Sequence, residues 1–271
     1  NFKNRHEQRF EKANNPKLYK RFHFKIPTID ECLPGGLSGT DFATIAAKTG
    51  RGKSIATIHV GYEALLQGFN VTHVTSENTV EQTTGRYDSR ISAIKYDDIQ
   101  LARLREEDIS KMFRTYDDLK KKVKTSLKIV KVAPNDFTAS TILQIMNVLE
   151  GEGHHTEMLV IDSPDLMQSV AHYKDKRLQS SAVYWEIRSL LDQKKCVCFA
   201  TTQLKALSND DNPLVEDLSE SYDKARLLDF ALVLSQSKTQ KANKEASLSI
   251  IKNRDGKFPN DAITIATHFE K

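Results

Sequence analysis

Cysteine is scarce in this chain, with three residues, Cys32, Cys196 and Cys198, in 271. Their spacing fits no metal-ligand pattern, and the Cys196-Val197-Cys198 pair sits in an apolar run that reads as a buried strand, which excludes a disulfide scaffold and a zinc site. They are expected to be core thiols of a protein kept in a reducing compartment. Long hydrophobic runs are missing too. No window nears the ~20 apolar residues of a membrane span, and the polar opening NFKNRHEQRF is not built like a signal peptide. A cytoplasmic protein without membrane contact is the expectation. An excess of one charge is also absent: Lys and Arg total 40 against 36 Asp and Glu, a formal net charge of +4. No basic field covers the whole surface, so a polyanion would have to be met by local clusters. The chain has no internal repeat and no low-complexity tract.

With 39% hydrophobic and 28% charged residues, the length suits one large α/β domain carrying a short appendage. The appendage is residues 1–22, too polar to fold alone but holding helix formers from Arg5 to Ala13, and it is expected to dock elsewhere as an arm or linker helix. Residues 23–271 are expected to form the main domain. Pro27, Pro34, Gly35 and Gly36 punctuate a turn before the apolar run DFATIAAK. A glycine loop and a helical pattern through Ile55, Ile58, His59, Tyr62, Leu65 and Leu66 follow, ended by Gly68. NVTHVTSE is a second strand candidate, and one charged helical stretch is expected from about Thr79 to Lys124. LKIVKVA, EMLVIDSP, CVCFATTQ and FALVLSQS recur as strands, with helices between them over Ala139 to Glu150 and Ser180 to Lys194. Strands alternating with helices predict an α/β fold with a mainly parallel, twisted sheet covered on both faces. Two alternating segments near the end, split by Asp255-Gly256 and Pro259-Asn260, predict an antiparallel hairpin on its edge.

The stretch AAKTGRGKS, residues 46–54, carries the first chemistry. It ends in Gly52-Lys53-Ser54 like a phosphate-binding loop (Walker A), but has Ala47 where the pattern asks for glycine. A strand before it and a helix after it supply the context such a loop needs. Helix-start amides would hold phosphates of ATP around Gly50, Arg51 and Gly52, Lys53 would reach the terminal ones, and the Ser54 hydroxyl would ligate Mg²⁺. Gly50 and Gly52 still allow close backbone approach, so alanine at 47 costs little where only a small side chain is needed. MLVIDS puts Asp162 at the end of another buried strand, as the second half of the metal site. Glu77 ends NVTHVTSE, where a carboxylate could polarise an attacking water. Gln203 ends CVCFATTQ, where it could sense the terminal phosphate.

Together these features resemble one family: the RecA-like motor domain of DnaB-type replicative hexameric helicases, especially phage-encoded members. The matching stretches are IPTIDECLPGGLSGTDFATIAAKTGRGKS, VTHVTSEN, MLVIDSPDLMQ, FATTQLKA, DLSESYDKARLLDFALVLSQ and IIKNRDGK, covering about residues 22–269. In that family the first loop glycine is itself commonly alanine. SEN at Ser76 to Asn78 is similar to the family's strand-end Ser-Leu-Glu-Met, which implies that Glu77 is the catalytic base. Lys252-Asn253-Arg254 resembles the Lys-x-Arg pair that such helicases insert into the neighbouring subunit's nucleotide site.

The resemblance further implies a homo-oligomeric, hexameric ring translocating 5′ to 3′ on single-stranded DNA during DNA replication, in a host's cytosol if phage-encoded. It leaves a primase or a helicase loader as further partners. Two channel-facing segments would hold DNA, SVAHYKDKRLQSS and ALSNDDNPLVEDLSESYDKAR. The first offers Lys174, Lys176 and Arg177 to a phosphate backbone. The second departs from the family's Asp-Leu-Arg-Glu-Ser-Gly at Asp217-Leu218-Ser219-Glu220-Ser221, losing an arginine and a glycine. Contact there is expected from Ser219, Ser221, backbone amides and Lys205 or Lys224. Residues 1–22 stand where bacterial members carry a helical domain for collar formation and primase contact, as in a minimal or shortened helicase. Two other functions fit parts of the pattern: a recombinase or mediator of the RecA, RadA or KaiC kind, and a non-catalytic ATP-binding assembly factor. The Lys-x-Arg with DLSES before it weighs against the first, and the presence of Lys53, Ser54, Glu77, Asp162 and Gln203 against the second.

Overall fold

Eight apolar runs become the strands of one sheet in the computed structural model, which describes residues 20–171, 173–204, 222–254 and 256–267. The strands are β1 (Phe42–Ala47), β2 (Val71–Thr75), β3 (Leu127–Lys131), β4 (Met158–Asp162), β5 (Val197–Gln203), β6 (Phe230–Ser235), β7 (Glu245–Asn253) and β8 (Ile263–Ala266). The described helices are α1 (Pro27–Cys32), which precedes β1, and, between strands, α2 (Lys53–Leu66), α3 (Val80–Ser92), α4 (Tyr96–Gln100), α5 (Glu106–Lys122), α6 (Ala139–Gly151), α7 (Lys176–Lys194), α8 (Tyr222–Leu227) and α9 (Lys238–Ala242). The strand order is β3-β2-β4-β5-β1-β6-β7-β8. The six strands from β3 to β6 pair in parallel, and β7 and β8 return antiparallel as the expected edge hairpin.

Burial follows position in the sheet. Every residue of β1, β2 and β4 is buried, as strands covered on both faces must be. In β8 the residues alternate between intermediate and exposed, the mark of an edge. Because successive side chains point to opposite faces, one strand feeds two cores. Leu159 and Ile161 of β4 join Ile142 and Met146 of α6 and Ile187 and Leu191 of α7 on one face. Met158 and Val160 join Val60, Ala64 and Leu65 of α2 on the other. Each such side chain removed from water contributes about 1.5–3 kcal/mol. Cys196 and Cys198 lie in the first core and Cys32 in the second, all as free thiols. Burial pushes the Cys196 thiol up to about 12 and raises Cys198 as well.

The charged stretch from Thr79 to Lys124 is three helices rather than one. A capping box starts α3, with Gln82 N–H donating to Thr79 Oγ1 at 3.0 Å and Thr79 N–H to Gln82 Oε1 at 2.9 Å. Ala93 then turns left-handed at φ 54° and stops it. No glycine or proline marks that stop, so the continuous helical composition hid it. α3 packs on α2 closely enough that a Cβ on Gly61 would lie 2.0 Å from Tyr87 Oη. Among the described residues no helix is long and apolar enough to cross a membrane. The arm lies largely outside the described residues, which begin at Lys20, and its described end belongs to the main domain instead: Phe22 bridges Leu37 and is fully buried in the second core, while Lys20 pairs with Glu157.

Candidate functional site

β1 ends at Ala47, and the chain turns through Gly50 at φ 73° and Gly52 at φ 90° into α2, which begins at Lys53. Both glycines hold left-handed conformations that favour glycine. Ala47 does not: it continues β1 in register with Gln203 on β5 and Leu234 on β6. Position 47 therefore needs a small residue inside a buried strand, not glycine's freedom. Lys53 folds back over the loop, its Nζ donating to the Ala47 carbonyl at 3.1 Å. The loop opens onto a cleft of about 720 Å³ whose lining includes Gly50, Gly52, Lys53, Ser54, Glu77 and Gln203.

Asp162 stands at the end of β4, beside the end of β2. It is only 2% exposed, and its two oxygens accept from Thr201 Oγ1 at 2.8 Å and Asn78 Nδ2 at 3.3 Å. The Glu77 carboxyl is raised above the usual carboxylate range, first by burial and then by the negative charge of Asp162, with Lys53 opposing and Asp165 adding to the rise. Glu77, Asp162, Lys53 and Asp165 thus lie within electrostatic range of one another. Among the described residues no group of three or more His, Cys, Asp or Glu side chains forms a metal site. Ser54 and Asp162 nonetheless suit magnesium, a hard cation that takes one or two protein oxygens and completes its shell with substrate phosphates and water.

Several residues at this end were not found from sequence. Thr201 and Asn78 orient Asp162, and Arg86 reaches the cleft while its guanidinium sits 5.4 Å from the Tyr96 ring. Asn78 follows Glu77 directly and was within reach of a sequence reading, whereas Arg86 and Tyr96 are joined only by the turn at Ala93. Arg51 points away toward β6, its Nη1 3.5 Å from Gln236 Oε1. Gln203 is held through its backbone, its N–H donating to Asp165 Oδ2 at 2.6 Å.

Lys252 and Arg254 lie at the opposite end of the sheet. β7 runs antiparallel to β6, with Ala231 opposite Lys252 and Phe230 opposite Asn253, while Phe230 and Leu234 pair with Ala43 and Ala47 of β1. At ~3.3 Å per residue, roughly 10 Å of strand for Lys252 and roughly 15 Å for Arg254 separate the cation pair from the end of β1 that leads into the glycine loop. Lys252 Nζ donates to the Ala225 carbonyl, and burial, then Arg254, lower its pKa. Arg254, with its side chain 49% exposed, donates from Nη1 to Asp229 Oδ1 at 2.6 Å and from Nη2 to the Arg226 carbonyl at 3.3 Å. Asp229, 8% exposed, also pairs with Arg188 of α7 and accepts from Phe42 N at 2.9 Å.

The expected DNA contacts divide. Lys174 is exposed between β4 and α7, Lys176 opens α7, Arg177 is exposed in its first turn, and Tyr173 is exposed beside Lys174. Lys205, Ser219 and Ser221 lie outside the described residues. Lys224 corrects the expectation. It is 5% exposed, its ammonium 3.3 Å from Asp165 Oδ1 and 5.3 Å from the Tyr184 ring, so it faces the core rather than a DNA backbone. A lysine in a charge-rich stretch reads as solvated until its partner carboxylate is known.

Residues 24–271 match the family described as the DnaB-like helicase C terminal domain. Among solved structures, the chain resembles one of a DnaB-like replicative helicase, described with its interactions with primase, at a TM-score of 0.77 and 16% identity. That likeness covers 93% of this chain and 60% of the other. It also resembles a second solved structure, described as an ATPase domain, at a TM-score of 0.80 and 17% identity, covering 93% of this chain and 89% of that one. At these identities the structural likeness establishes a shared RecA-like fold. Among curated proteins none matches the chain.

Proposed function

Because this chain belongs to the family of DnaB-like helicase C-terminal domains, we propose that it is the motor of a replicative helicase that hydrolyses ATP at subunit boundaries of a ring and moves along single-stranded DNA. The observation that supports this most is the separation of two halves of one reaction. Lys53, Glu77 and Asp162 stand at the carboxyl end of the parallel strands, and Lys252 and Arg254 at the amino end. A cation pair so far from its own phosphate loop can serve phosphoryl transfer only in another subunit. An interface joining unlike ends of successive subunits is head-to-tail, the kind that closes into a ring when its rotation permits.

In this mechanism the amides and dipole at the start of α2 hold the ATP phosphates, and Lys53 neutralises the terminal ones. Ser54 and Asp162 would hold magnesium, which when bound offsets charge on the phosphate oxygens. Glu77, its basicity raised by burial and by Asp162, takes the proton of the attacking water. The neighbour's Lys252 and Arg254 stabilise charge developing on the transferred phosphoryl group. Gln203 answers to the terminal phosphate and passes its state to the segment that follows. Lys174, Lys176 and Arg177, with Lys205, Ser219 and Ser221, track the DNA phosphates. A hexamer, 5′ to 3′ movement, a cytosolic setting and a primase or loader partner complete the proposal and rest on the family resemblance, with the residues before Lys20 packing on the adjacent motor.

Mixed rings test it. Arg254→Ala subunits keep an intact phosphate loop and Lys53→Ala subunits keep intact cations, so each alone should be inactive and their mixture should regain hydrolysis. Mixed rings that form and stay inactive would show that the site is not shared.

A further inference from the structure

Helix α8 is six residues long, too short to hold its position by helix propensity, so its place is set by side-chain contacts. Toward the nucleotide end, Lys224 is tied to Asp165 at 3.3 Å. The same carboxylate accepts from Gln203 N at 2.6 Å and Thr202 Oγ1 at 3.0 Å, at the end of β5. Toward the amino end, the Ala225 carbonyl accepts from Lys252 Nζ and the Arg226 carbonyl from Arg254 Nη2. Both acceptors directly follow Lys224 in α8, and Ala225 itself is 3% exposed and packed in the core beneath the sheet. A lysine this buried is costly unless its partner is in place, and breaking such a pair leaves an uncompensated charge. The chain meets that cost at a point linking the strand end that carries Gln203 to the carbonyls that hold the cation pair.

We infer that the Lys224–Asp165 ion pair is a positioning device acting in trans: it seats α8 so that Ala225 and Arg226 present Lys252 and Arg254 to the neighbouring subunit's nucleotide. Because Asp165 also holds the amide of Gln203, the device joins a subunit's own phosphate-sensing strand to the reaction next door. The inference rests on the shared-site reading above. Lys224 and Asp165 are positioning residues, which touch neither nucleotide nor the transferred group.

The test uses rings of the full chain. Lys224→Met should lower kcat about tenfold or more while leaving KM and the binding of a fluorescent ATP analogue near wild type, since Lys224 does not line the cleft that would hold the nucleotide. Lys224→Arg, which can restore the pair, should recover most of the rate. The decisive readout is mixing. Lys224→Met subunits combined with Lys53→Ala subunits should regain hydrolysis as Arg254→Ala subunits do with the same partner, because the Lys53→Ala chains supply correctly seated cations. No recovery with Lys224→Met, alongside recovery with Arg254→Ala, would mean that the pair acts in its own site and would overturn the inference. Failure of the Arg254→Ala mixture, with mixed rings demonstrated, would instead remove the shared site and this inference with it. Should Lys224→Met fail to fold, Lys224→Gln, which also removes the charge and leaves Asp165 in place, enters the same mixing experiment with the same two outcomes.

Discussion

The two ends of the sheet reach their chemistry by different routes. At the carboxyl end, parallel strands deliver every loop to one side, so the turn at Gly50 and Gly52, the start of α2, Glu77 and Gln203 gather around one cleft, with Asp162 at the neighbouring strand end. At the amino end no such gathering is available. Lys252 arrives there because β7 runs backward against β6, and Arg254 because it follows β7 directly. Their partners are two carbonyls of α8 and the buried Asp229, with Arg188 and Phe42 N holding that carboxylate in turn. A parallel sheet makes a binding site at one end almost by construction. The other end gathers its cations only through an antiparallel strand and a scaffold that holds long side chains in place.

That contrast can be broken most sharply with one substitution at each end. Arg254→Ala should cut hydrolysis by about 10³-fold or more while nucleotide binding persists, whereas Lys53→Ala should lose both. Binding isotherms and turnover on the same preparations check it, and equal loss of binding in Arg254→Ala would place that residue's effect on its own pocket. Glu77→Gln should keep binding and lower turnover by about 10²–10⁴-fold, because an amide holds geometry but takes no proton.

The pH profile sharpens the same point with a smaller effect. Glu77 must be ionised to act, and burial and Asp162 raise its pKa, so the rate should fall on the acid side at a pH above the ordinary carboxylate range. Asp165 contributes to the rise, so Asp165→Asn should move that acid limb to lower pH, and a limb that stays put would remove Glu77 as its source. The smallest effect belongs to DNA. Neutralising Lys174 or Arg177 should flatten the salt dependence of single-strand binding by about 0.7 per charge, equally for all sequences. An unchanged slope would send the contact to the segment after Leu204.

The sheet was legible because each strand is a short apolar run between polar turns, and alternation in the last two marked the hairpin. The glycine turn between β1 and α2 was legible because its residues are contiguous, and the place of Asp162 because a carboxylate ending a fully buried strand is unusual. Lys224 was misread, since its environment is fixed by Asp165 and Tyr184, far away in the chain and joined only by folding. Asp229 and Arg188 escaped notice for the same reason. The break at Ala93 was invisible because a left-handed alanine carries no sequence mark.

The buried thiols have a practical side. Cys32, Cys196 and Cys198 are all within the cores, and burial holds the Cys196 and Cys198 thiols in their unreactive protonated form. A maleimide dye offered to the native protein therefore meets little competition, and a single cysteine introduced at the exposed Lys174 would take the label without first stripping the natural ones. Reaction at the three native thiols becomes a clock for opening of the sheet itself, counting how often each face of the molecule comes apart.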